Sequence, residues 1–94
     1  MKNSIENILT TYGFQTDRPG CLAWGVGSLV WGHLMYVTTK GEDLYEVEYH
    51  TWYYDSNGDE VYDTTETATL YGAKVIEFAF THLPTNYLTL RAGR

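Results

Sequence analysis

The sequence predicts an α+β fold in which one N-terminal helix packs on an antiparallel β-sheet, a five- or six-strand meander that is open or curled. Three observations carry this. Ile5, Ile8, Leu9 and Tyr12 recur at helical spacing. Residues on either side of Asn57-Gly58 alternate with a period of two. Nine Tyr, three Trp and three Phe in 94 residues favour strands. The whole chain, 1–94, reads as a single domain with a modest core, since a chain of this size buries roughly two-thirds of its unfolded surface.

The helix is expected over about 4–12, with Asn3 or Ser4 as N-cap and Gly13 to stop it. "QTDRPG" follows as a polar turn. In "CLAWGVGSLVWGHLMYVTT" both faces are apolar, and Gly25, Gly27 and Gly32 argue against helix because each costs about 1 kcal/mol relative to alanine. A hairpin turning near Gly27-Ser28 fits better, with strands at about 21–26 and 29–39. The echo of Leu22-Ala23-Trp24-Gly25 in Leu29-Val30-Trp31-Gly32 is two copies, too few for a repeat architecture.

After a turn at Lys40–Asp43, strands are expected at about 43–54 and 60–71. Asn57-Gly58 as a two-residue type I′ loop would pair residues whose numbers add to 115. Tyr53 then faces Tyr62, Thr51 faces Thr64, Val47 faces Ala68 and Tyr45 faces Leu70 on the core side. Glu66 opposite Tyr49 is the fault in this register, which a bulge or an edge position would have to accommodate. The other face carries Glu46, Glu48, His50, Trp52, Asp63, Thr65, Thr67 and Thr69, an acidic, hydroxylated surface with one exposed indole. A three-residue loop with Gly58 in the left-handed region would flip one strand and mix the faces, so the two-residue turn is preferred.

Residues 74–81 alternate Ile76, Phe78 and Phe80 with Val75, Glu77 and Ala79 and are read as a strand. A helix over about 70–83, ended by Pro84, is the rival reading. A short strand at about 87–90 and a frayed tail at 91–94 complete the chain.

Net charge is -6, and Glu42 to Glu66 holds nine of the twelve acids with no Lys or Arg. The remainder carries +3, six basic residues against Glu6, Asp17 and Glu77. The acidic side therefore repels nucleic acid and membrane surfaces and attracts basic partners, or else simply keeps a small protein soluble. The start, "MKNSIENILTTYG", has no apolar core after its Lys, and the most apolar run, Cys21 to Val37, is shorter than a bilayer span. One cysteine, Cys21, excludes an intramolecular disulfide. A cytoplasmic setting is expected.

"DSNGDEVYDTTE" invites a calcium reading, with Asp55, Asn57, Asp59, the Val61 carbonyl, Asp63 and Glu66 at the ligand positions of an EF-hand loop. Yet Glu60 occupies the position where that loop needs glycine, and both flanks have strand periodicity. The stretch reads as a hairpin tip, leaving Asp55, Asn57, Asp59, Asp63 and Glu66 as a weak metal set. Gly25-Val26-Gly27 with Gly32 matches neither phosphate-loop spacing. Cys21, His33, His50 and His82 form no recognisable catalytic or zinc pattern, so no enzyme and no cofactor is expected.

The leading expectation is a small acidic non-catalytic binding protein, an inhibitor of a basic, nucleic-acid-handling protein. It would use Glu46, Glu48, His50, Trp52, Tyr54, Asp59, Glu60 and Asp63 as partner-binding residues, with the indole and phenol as anchors and the carboxylates steering approach. No direct contact with nucleic acid or membrane is expected. In size, acidity and lack of a catalytic motif the chain is similar to phage- or mobile-element-encoded anti-defence proteins, of anti-CRISPR and anti-restriction type, and to bacterial immunity proteins. That likeness is compositional and covers no motif; it implies the cytoplasm of a bacterial host. Two other classes are a small-molecule or cation-binding domain with a pocket lined by Trp24, Trp31 and Tyr36, and a homodimer or larger structural homo-oligomer pairing strand edges.

Overall fold

The computed structural model describes residues 4–27 and 31–83. Helix α1 (Ser4–Thr11) buries Ile5 and Leu9, one turn apart. It ends as the sequence predicts: Gly13, at φ 108°, donates to the Thr10 carbonyl at 3.2 Å, and Phe14 donates to the Leu9 carbonyl at 3.1 Å. These two bonds satisfy carbonyls that the helix end would leave bare, in a conformation that favours glycine.

Five antiparallel strands follow in spatial order β1-β2-β3-β4-β5: β1 (Gln15–Arg18), β2 (Cys21–Gly27), β3 (Trp31–Gly41), β4 (Leu44–Tyr54) and β5 (Glu60–Tyr71). The α+β meander is as expected, but two elements differ. "QTDR" is not a turn but the short edge strand β1, paired with β2 because Pro19-Gly20, with Gly20 at φ 79°, folds the chain back on itself. All four of its residues are exposed, so it carries no apolar alternation to announce it.

Residues 74–81 are not a strand but belong to helix α2 (Ala73–His82). Val75 and Ala79 are buried one turn apart and Leu83 lies beyond them, so helical spacing prevails over the alternation of Ile76, Phe78 and Phe80. Phe80 is exposed and meets the ring of Tyr12 edge-on at 5.1 Å, tying α2 to the end of α1. Ile5 and Leu9 from α1, with Val75, Ala79 and Leu83 from the α2 region, share one core with Leu22, Trp24, Met35, Val37, Tyr45, Val47 and Tyr49 of the sheet. Both helices thus cover the same face, and among the described residues no helix covers the other, open face.

Pairing of Gly27 with Gly32 brackets the β2–β3 reversal. The expected turn at Gly27-Ser28 lies partly outside the described residues, as do Asn3, the strand expected at 87–90 and the tail. Among the described residues, no helix is long and apolar enough to cross a membrane.

The β4–β5 hairpin keeps the predicted register from Leu44↔Tyr71 to Thr51↔Thr64 and then shifts by one, to Trp52↔Tyr62, Tyr53↔Val61 and Tyr54↔Glu60. Asp63 is the extra residue of this β-bulge. The tip is also one residue longer than predicted. Asp55 donates to the Asp59 carbonyl and accepts from the Gly58 amide, both at 3.0 Å, and Gly58 sits at φ 83°. The Asp55 carboxylate selects this longer loop by accepting from the Asn57 and Asp59 amides, both at 2.9 Å. Bulge and loop offset one another, so the predicted faces hold from Thr64 to Tyr71 and only residues 60–62 change sides.

Candidate protein-interaction face

Strand alternation places three rungs side by side on the open face of the sheet. One is Gly32–Trp52–Tyr62, the next Leu34–His50–Thr65 and the third Tyr36–Glu48–Thr67; Thr38–Glu46–Thr69 continues the series. The indole of Trp52 lies against Gly32 so closely that a Cβ there would fall 2.3 Å from its ring, and a Cβ at Gly27 would fall 3.4 Å from the same ring. The sequence predicted an exposed indole and put Gly27 at a turn and Gly32 in the strand after it. In the fold they form a bare strip of backbone, and Trp52 is half-buried on it.

Around that indole the face is polar and aromatic. Trp52 meets Tyr54 edge-on at 5.5 Å, and His50 meets Tyr62 edge-on at 6.1 Å. His50 Nδ1 lies 3.2 Å from the Thr65 hydroxyl, and its Nε2 lies 3.9 Å from Glu48. Glu46 is engaged by Lys40 at 3.6 Å. Leu34, Tyr36, His50, Tyr62 and Thr65 line an open groove of about 350 Å³.

Of the eight residues expected to bind a partner, Glu46, Glu48, His50, Trp52, Tyr54 and Glu60 share this face; Asp59 lies at the exposed tip and Asp63 in the bulge. Leu34, Tyr36 and Tyr62 belong with them and were missed. Tyr36 was hidden in a strand apolar on both faces. Tyr62 was placed on the core side by the unbroken register, whereas the bulge at Asp63 pairs it with Trp52 on the open side, where it is 60% exposed.

The covered face holds a second polar set. Glu66 does stand opposite Tyr49, and β5 tolerates it as an edge strand because His82 of α2 binds its carboxylate at 2.8 Å. The other ring nitrogen of His82 faces the Phe78 carbonyl at 2.9 Å. Both neighbours accept, so the imidazolium form satisfies both. His82 also stacks on Phe78 at 4.0 Å and meets Tyr49 edge-on at 5.2 Å. The Tyr49 hydroxyl lies 2.8 Å from Nδ1 of His33. Burial holds the His33 pKa below its ordinary value, and burial and then Glu66 push that of Tyr49 up.

The calcium-like spacing does not gather its ligands. Asp55 uses Oδ1 within the turn, and Glu66 is on the helix side with His82. Among the described residues, no group of three or more His, Cys, Asp or Glu stands ready for a metal ion. Nor do Trp24, Trp31 and Tyr36 line one pocket, because Tyr36 points to the face opposite Trp24. Cys21 is buried, with the Thr38 hydroxyl 3.5 Å from its sulfur. No protein-family model, curated protein or solved structure matches the chain.

Proposed function

We propose that the chain is a small non-catalytic binding protein whose open sheet face docks on a basic surface of a protein partner. The observation that supports this is the clustering of Glu46, Glu48 and Glu60 with Trp52, Tyr54 and Tyr62 on a face that, among the described residues, no helix covers. Carboxylates steer a basic partner and aromatic rings supply contact area at low entropic cost. A surface of that kind competes with nucleic acid for a basic groove, which is the action of an inhibitor of a nucleic-acid-handling protein. An anti-defence role of anti-CRISPR or anti-restriction type, in the cytoplasm of a bacterial host of a phage or mobile element, is the specific form of the proposal.

Affinity capture on the immobilised chain, followed by a nucleic-acid-binding assay of the captured protein, tests it. A basic protein should be retained at low salt, released as salt rises, and lose its nucleic-acid binding when the chain is added. Reversing the charge with Glu46→Lys and Glu48→Lys should abolish retention. Indifference to that double change removes the proposal.

A further inference from the structure

The groove at the centre of the open face has a chemistry more specific than a negative charge. Its floor is the rung Leu34–His50–Thr65 and its sides are Tyr36 and Tyr62; Glu48 stands beside Tyr36, and Trp52 beside Tyr62, on the adjoining rungs. Two phenol rings therefore stand on opposite sides of a floor made of one leucine, one imidazole and one threonine, with the Glu48 carboxylate on the adjoining rung. Among the described residues, no Lys or Arg lines the groove, and Lys40 is engaged by Glu46. His50 is held in place by Thr65 and stands beside Glu48.

We infer that this groove receives the guanidinium of an arginine side chain. A guanidinium is planar and weakly hydrated, so it stacks on a tyrosine face while its edge donates to a carboxylate in a fork. An ammonium is a compact, strongly hydrated charge that gains less from two flat rings. An anion meets Glu48 and is repelled; a neutral ligand leaves that carboxylate unused. The inference rests on the proposed docking of a basic partner and names the side chain that anchors it. It also accounts for Tyr62, which is exposed on the open face only because the bulge at Asp63 places it there.

The test is a titration of the isotope-labelled chain with acetylated hexa-arginine and, separately, hexa-lysine peptides at low salt, followed by amide and indole resonances. Hexa-arginine should bind about fivefold more tightly than hexa-lysine and shift the residues of the three rungs most. Tyr36→Leu and Glu48→Gln should each weaken hexa-arginine by about three- to tenfold and reduce the preference over lysine. Glu42→Gln, in the exposed β3–β4 turn, should leave both unchanged. Tyr36 and Glu48 lie outside the core, and thermal melts of each variant confirm folding; should Tyr36→Leu unfold, Glu48→Gln decides alone. Equal affinity for the two peptides, with shifts spread over the acidic tip and no effect of Tyr36→Leu, overturns the groove while leaving a basic partner in place. Failure of both peptides to bind counts against the groove and the docking proposal together.

Discussion

His82 and Glu66 meet at 2.8 Å across the boundary between α2 and the edge strand β5, and this one contact lets an acid stand on the helix-covered face. Edge strands are commonly protected from pairing with other chains by charges on the inward side and by bulges, and β5 has both, at Glu66 and Asp63. The Glu66 carboxylate is half exposed, so Glu66→Gln should cost about 1 kcal/mol. A melting point lowered by several degrees, with little further loss on adding His82→Ala, is the expected result of the double-mutant cycle.

Gly32→Ala should destabilise the fold by about 1–3 kcal/mol, because its methyl would overlap the Trp52 ring. Replacing Trp52 by Val as well should recover part of that loss. Urea melts of the two single variants and the double variant measure the recovery; additive losses would mean that the indole is not what excludes a side chain at Gly32.

Stability should be highest near neutral pH and fall on both sides. On the acid side, burial keeps the folded-state pKa of His33 below its ordinary 6.5. As pH drops through 6.5 the unfolded chain takes up a proton that the folded chain resists, so stability falls until the folded state protonates too. On the alkaline side, burial raises Tyr49 and Tyr45 above 10, helped by Glu66 at Tyr49 and by Glu6 and Asp43 at Tyr45. Above pH 10 the unfolded tyrosines ionise first and stability falls again. Denaturant midpoints across this range check the shape, and His33→Gln should flatten the slope just below 6.5.

Calcium at millimolar concentration should change neither tyrosine fluorescence nor the melting point, because the Asp55 carboxylate already serves the turn and Glu66 faces His82. Asp55→Ala should instead lower stability by about 1 kcal/mol through loss of its two amide hydrogen bonds.

Much of this architecture is legible in the sequence where a local signal and the tertiary environment agree. Ile5, Leu9 and Gly13 define α1 and its end, and Tyr45, Val47 and Tyr49 alternate as the buried side of β4. Legibility fails where the deciding partner is distant. Nothing near Gly32 in the chain announces Trp52, and nothing near Glu66 announces His82. In "AKVIEFAFTH" the two periods overlap, since Val75 and Ala79 satisfy a helix while Ile76, Phe78 and Phe80 imitate a strand; packing against the core decides. The candidate face was recognised through its acids, whereas the rings of Tyr36 and Tyr62 depended on β3 and on the bulge.

Asp63 decides which ring stands in the groove through where the hairpin absorbs its extra residue. Deleting it would leave Tyr62 opposite Trp52 and Thr64 opposite Thr51 in an unbroken ladder, whereas keeping it while the strands pair without the bulge would carry residues 60–62 through half a strand period and turn Tyr62 toward the helices. The identity of one groove wall is therefore encoded by strand register as much as by residue type. A slip of one residue can erase that wall while every aromatic and carboxylate that formed the groove remains in the chain.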